Sequence, residues 1–253
     1  MSKISFEDLD KAPAESNETA IVVKPELAVA VPSIANPAKG LLGEWTVQDT
    51  RLPRLNLVNK SGELANAFVP GTYVINKEHQ LNQLSSDSRE RSNPVSVIVA
   101  TMAKQYQENI PYDEREVTPT RGPFNSAAEV MSAGGQVSRM AGAGKFSEIA
   151  HLELFIEQPE GLSEDAQALF YYTFGGKKYT RVMWTVSGTA FGAVAVTVAS
   201  ALRGHLSSTG LTGGHWLLGS NLIKGQKNSW WQPSIRTNGL VAPEVAKQVE
   251  GNL

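Results

Sequence analysis

Apolar residues along this chain recur mostly with a period of two. His151-Leu152-Glu153-Leu154-Phe155-Ile156 alternates, which predicts a strand over 148–157, and Pro159-Glu160-Gly161 ends it. Val95–Met102 is β-branched and apolar, the pattern of a buried strand. Shorter runs of the same kind are 52–58, where Pro53 suits a strand start or edge, and 72–75, which follows a Pro70-Gly71 turn. Further strands are predicted over 213–218 and, after a turn at Lys224-Gly225, over 228–233. Two stretches break the pattern. Ala190–Leu202 is small and apolar, lies between Gly188 and Gly204, and predicts a helix packed closely on a sheet. Residues 241–249 predict a short closing helix with Pro243 in its first turn. The segments 79–93 and 103–147 read as loops, the second long and rich in Gly and Pro. There is no repeat of fixed period. The sum is a mainly β domain with one or two helices, partly closed, of barrel or sandwich type.

The most informative local pattern is a hairpin. Residues 168–174 and 179–187 are rich in aromatic and β-branched side chains, and Gly175-Gly176-Lys177-Lys178 separates them. A two-residue loop pairs Tyr172 with Tyr179; a four-residue loop pairs Tyr172 with Arg181. Either register sets Phe170, Tyr172, Phe174, Tyr179 and Arg181 on one face, because side chains alternate along a strand. The other face carries Leu169, Tyr171, Val182, Trp184 and Val186 and reads as core. A sheet buried on both sides would spoil this division.

Composition changes the picture in one respect. The 253 residues carry a net charge of −2, but the charge is not spread evenly. Between Ala166 and Pro243 there is no Asp or Glu, while seven bases stand there: Lys177, Lys178, Arg181, Arg203, Lys224, Lys227 and Arg236. Ten of the chain's nineteen aromatics lie in the same stretch. Cations beside flat rings suit a single-stranded nucleic acid, since the cations track phosphates and the rings stack on bases. Residues 1–40 are the opposite case. They hold one aromatic, four Pro, and six acids against four bases. Such a segment buries too little to offset its ordering entropy and reads as a flexible acidic arm. The rest, 41–253, then forms a single domain. Ile4–Lys11 could still form a short acidic helix on a partner.

Other chemistry finds no support. Without cysteine there is no disulfide and no thiolate metal site. His79, His151, His205 and His215 lack metal-ligand spacing, so no metal or cofactor is expected. Gly144-Lys145 resembles a phosphate loop only in part, because Arg139 and Phe146 stand where that pattern needs Gly and Ser or Thr. No nucleophile elbow occurs, and a non-enzyme is expected. No apolar run reaches spanning length, and the N-terminus lacks a signal-peptide pattern. The expectation is a soluble intracellular protein that does not enter membranes.

The order of elements resembles a known group. Pro53-Arg54-Leu55 is followed by Gly71-Thr72-Tyr73-Val74-Ile75-Asn76, by Lys104-x-Tyr106-x-Glu108, and by Trp216-x-Leu218 with Asn228-x-Trp230 and Pro233. This looks like the phage-encoded single-stranded-DNA-binding proteins with OB-like folds, over residues 44–240. The resemblance implies an OB-like, partly closed β-barrel and a non-catalytic protein that coats single strands during phage replication or recombination, in the cytoplasm of an infected cell. The chain departs from that group at its end, where many members carry an acidic tail and 245–253 has one base and one acid. Twelve residues are expected at the interface. Phe170, Tyr172, Phe174, Tyr179 and one of Trp230 or Trp231 would stack on bases, and Lys177, Lys178, Arg181, Lys224, Lys227 and Arg236 would hold phosphates. DNA is expected rather than RNA. Self-association and a replication or recombination partner at the arm complete the expected partners. The alternative is a viral structural or assembly protein with a β-rich core and a flexible N-terminal arm.

Overall fold

The computed structural model describes residues 51–111, 121–226 and 228–253. The arm at 1–40 and Lys227 lie outside the described residues. The described residues form one compact unit.

In chain order the elements are β1 (Leu55–Leu57), α1 (Leu64–Ala67), β2 (Tyr73–Ile75), β3 (His79–Gln80), β4 (Val95–Glu108), α2 (Ala127–Ser132), β5 (Gln136–Val137), β6 (Lys145–Glu157), α3 (Glu164–Gln167), β7 (Tyr172–Phe174) and β8 (Lys177–Ser187). Then come a helical run α4 (188–203), β9 (Gly214–Lys224), β10 (Ser229–Leu240) and α5 (Pro243–Glu250). The fold is mainly β, as the alternation predicts. The strands make two sheets: β1-β2-β3, and a large sheet ordered β10-β9-β4-β6-β8-β7 with β5 beside β6. Neither sheet closes on itself. A bridge between Arg54 and Met183 ties the small sheet to β8, and one between Arg91 and Asn221 ties the segment before β4 to β9. Short helices at α1, α2 and α3 add to the two expected.

The core lies between one face of the large sheet, the small sheet and α4. Leu152, Leu154, Val182, Trp184 and Trp216 meet Tyr73 and Ile75 from the small sheet and Val194 and Val198 from α4. Tyr73 sets its ring edge-on to Trp184 at 5.9 Å. Its hydroxyl donates to Gly219 O at 2.8 Å, so the one polar atom of a fully buried ring is satisfied. A bulge at Ala100 resets the facing of β4, since Val99 opposes Leu154 and Thr101 opposes Glu153. Val95, Val97 and Val99 therefore face the core before it, and Met102 after it.

The helix expected at Ala190–Leu202 forms. Gly188 starts it with φ of 56°, and its middle, Phe191–Val196, is π-helical. Pro233 stands inside β10, which only an edge strand tolerates. β10 is the edge, and its neighbour Trp231 sends its N–H outward to Asn59 Oδ1 at 3.3 Å, away from β9.

The loop expected over 103–147 is shorter than that. β4 runs on to Glu108 and β6 begins at Lys145, and the residues described between them form a flap with α2 and β5. The flap has its own small core of Tyr106, Val130 and Phe146. Glu108 anchors it. The buried carboxylate accepts from the backbone N–H and the guanidinium of Arg121 and from the N–H of Gly144. Those bonds, Arg121 foremost, hold the Glu108 pKa down to about 2 against burial.

Candidate nucleic-acid interface

The hairpin forms with the two-residue loop. Phe174 opposes Lys177 and Tyr172 opposes Tyr179, with Gly175 and Gly176 both at positive φ. Trp184 is buried, as expected for the core face. The proposed binding face is a different matter. Tyr172, Phe174, Tyr179 and Arg181 do share a face, but α5 covers it. Phe174 and Tyr179 are buried with Phe155 and Ile98 against Val245 and Val249. Tyr172 is half-buried and stacks on Phe174 at 6.0 Å. Phe170 is not in the strand at all: it follows α3 and is buried in the main core.

Arg181 is not free either. Its guanidinium binds Glu153 and the carbonyl oxygens of Asn252 and Leu253, and only 16% of its side chain is exposed. Burial opposes its charge, and the Glu153 and Tyr172 contacts outweigh that and raise its pKa. The aromatic hairpin face is thus a second core. The two-sided burial follows from α5, an amphipathic helix more than sixty residues downstream.

The bases of the acid-free stretch meet acids from elsewhere. Lys177 pairs with Glu157 at 2.8 Å, and Lys224 pairs with Glu90. Lys178 at the hairpin tip is exposed. Among the described residues, Lys178, Arg203 and Arg236 carry no ion pair.

Two of the sequence candidates, Trp230 and Arg236, do come together elsewhere, on the outward face of the β9–β10 hairpin. The adjacent tryptophans split as alternation requires. Trp231 is buried, its ring so close over Gly71 that a Cβ there would lie 2.6 Å from it. Trp230 is 36% exposed and its ring lies over Gly225. From Trp230 the outward residues of β10 are Gln232, Ser234 and Arg236, opposite Ile223, Asn221, Gly219 and Leu217 of β9. Trp230 to Arg236 spans about 20 Å at the rise of a strand. Lys224, near the Trp230 end, opposes Ser229 and so faces the other way, paired with Glu90. At the other end a cleft of 350 Å³ collects Arg236, Ser234 and Asn221 with Arg91, Ser92 and Asn93. Arg91 has one partner, Asp87 at 3.4 Å, and Arg236 has none. The track therefore offers an exposed indole, amide side chains and two guanidiniums.

Arg91, Asn221 and Gln232 escape a sequence reading. The Arg91–Asn221 bridge joins positions 130 apart, in a segment that is polar and loop-like on its own. Among the described residues no group of three or more His, Cys, Asp or Glu could hold a metal, and no helix is long and apolar enough to cross a membrane. No family model, no curated protein and no solved structure matches this chain.

Proposed function

We propose that this chain binds single-stranded nucleic acid, DNA before RNA, without regard to sequence and without catalysis, on the outward face of β9 and β10. The observation that supports the reading is the row from Trp230 to Arg236. An exposed indole is followed by amides and then by a guanidinium without an acid partner. The ring gives a base a stacking platform, Gln232 and Asn221 offer donors and acceptors, and Arg91 and Arg236 take phosphates. Of the twelve expected residues, Trp230 and Arg236 carry this reading, and the buried aromatics and Lys224, which pairs with Glu90 on the other face, do not. A role in phage replication or recombination is the setting such an activity would serve.

The test is a fluorescence titration with oligo(dT) and with duplex DNA at two salt concentrations. The expected result is stoichiometric, salt-sensitive quenching by the single strand. Trp230→Ala removes most of the quenching and weakens binding by about 1–3 kcal/mol. Equal affinity of the Trp230→Ala chain, with its fold intact, overturns the reading. One observation favours an assembly role instead: Met131 and Met140 on the flap are 65% and 74% exposed. That role predicts self-association that rises with concentration and does not respond to DNA.

A further inference from the structure

Beside the outward track, and sharing Trp230 with it, lies a groove of 580 Å³ with no acid in its lining. Three strand edges converge on it. At one end Met183 N–H donates to Pro53 O at 2.8 Å and ties β8 to the chain entering β1. Past that bond the two strands diverge. At the other end Trp231 N–H reaches Asn59, and Lys60 Nζ donates to Ser229 Oγ at 2.6 Å, which ties β10 to the end of β1. The groove is the gap between these two ties.

Among the described residues, the backbone around the gap is unpaired on the groove side. In β1 the bonds to β2 come from even positions, since Asn76 N–H binds Arg54 O and Val58 N–H binds Thr72 O. Leu57 therefore points its N–H and C=O away from β2. In β8 Met183 points its N–H away from β6, so the period of two turns the N–H groups of Thr185 and Ser187 the same way. Among the described residues no strand lies beside them there: β7 pairs only with Lys177–Tyr179, and the β1 bridge falls at Met183. A volume of this size is within the usual range for ligand clefts.

We infer that this groove accepts an extended polypeptide segment of a partner protein, added as a strand beside β1 and β8, with an acidic side chain set against Lys60. The backbone decides the class of ligand. Donors and acceptors in strand spacing match another strand, and main-chain bonds then give affinity while alternate side chains give selectivity. A nucleic-acid strand brings a phosphate at every step and needs a row of cations, and the groove has Lys60 alone. The same lysine in an acid-free lining favours an acidic segment over a basic one. This inference does not rest on nucleic-acid binding.

The test begins with a library of random ten-residue peptides selected on the full chain. Enriched peptides are expected to alternate apolar and polar residues and to carry an acid. A synthetic copy of the strongest is then N-methylated at alternate amides, in both phases. One phase should lose at least tenfold in affinity and the other little, because a strand bonds its neighbour through every second residue. Lys60→Glu should reverse the preference for the acid. Thr185→Pro removes an outward N–H and leaves the backbone bonds to β6, losing there only the hydroxyl contact with His151, and should weaken binding similarly. If that variant misfolds, the methylated peptides still decide. Amide exchange at Leu57, Thr185 and Ser187 should slow with peptide and not with oligo(dT). The inference is overturned if no peptide is enriched, if neither methylation phase matters, if oligo(dT) protects these amides, or if they become protected in the protein alone as its concentration rises. The salt dependence of oligo(dT) affinity, compared between the parent and Arg236→Ala chains, reports separately on the proposed function, because Arg236 does not line the groove.

Discussion

Two residues of the hairpin show how far a side chain's cost depends on what covers it. Trp184 and Arg181 lie three apart on β8 and face opposite ways. Trp184 fills the main core, and Trp184→Ala should cost about 3–5 kcal/mol in a denaturant melt. A charged side chain on an outward strand position would ordinarily cost little. Arg181, however, holds Glu153 and two C-terminal carbonyls in a largely enclosed site. Arg181→Ala leaves Glu153 without its partner and should cost about 2–3 kcal/mol. A cost within error of zero would mean that the C-terminal residues do not hold this geometry in solution. Glu108 gives the same argument a pH dependence. Its folded pKa, about 2, lies below the ordinary 4.5, so its stabilisation is full above the unfolded value and is lost as pH falls from there through about 2. Glu108→Gln should therefore lower stability by a constant amount, about 2–3 kcal/mol, between pH 7 and pH 5. The gap to the parent chain should close as both are taken toward pH 2. A gap that already closes between pH 7 and pH 5 would contradict the assignment.

At the scale of elements, the C-terminal helix decides what the hairpin is for. Its docking can be read from two adjacent glycines. Gly175 and Gly176 both have positive φ, and alanine at either should cost about 1–2 kcal/mol through strain alone. They differ in surroundings. A Cβ on Gly175 would lie 2.9 Å from Val245 Cγ2 of the helix, whereas nothing lies within 4 Å of one on Gly176. Gly175→Ala should therefore destabilise more than Gly176→Ala in thermal melts, and truncation before Val241 should erase the difference. Equal costs in the full chain would mean that the helix does not sit on the hairpin tip. The hairpin itself was legible in the sequence, because Gly-Gly between two aromatic arms fixes the turn and the period of two fixes the faces. The strand at 148–157, the helix over 190–202 and the split of Trp230 from Trp231 were legible for the same reason: each depends on neighbours within a few residues. What covers a face depends on a segment far along the chain. Val245 and Val249 mark one side of a short helix, but nothing local says that this side meets Phe174 and Tyr179. The reach of β4 to Glu108 was hidden likewise. Its outer half, Lys104-Gln105-Tyr106-Gln107, is polar and becomes a strand only by pairing with residues 146–150 of β6.

For the whole molecule the question is where positive charge remains after folding. The acid-free stretch suggested a continuous basic face. Folding instead brings Glu90, Glu153 and Glu157 onto three of its seven bases, because β6 lies beside β8 and the 85–92 segment lies beside β9. The hairpin tip with Lys177 and Lys178 ends up at the β7 edge of the large sheet, and Arg236 at the opposite edge. With strands about 4.8 Å apart, β8 and β10 are about 19 Å apart across the sheet. One single strand held along β10 would not reach the tip. The two bases at the tip and the two arginines of the β10 cleft therefore make opposing predictions. If oligo(dT) follows the track from Trp230 to Arg236, Arg236→Ala should flatten the log–log salt dependence by about 0.7, and Arg91→Ala by a similar step. Trp230→Ala should weaken binding at every salt concentration with the slope kept, because stacking releases no counterions. The pair Lys177→Ala with Lys178→Ala should leave both affinity and slope unchanged, even though it removes as much charge as the two arginine changes together. If the lysine pair flattens the slope and the arginines do not, the strand runs over the β7 edge and the track on β10 is not the binding face.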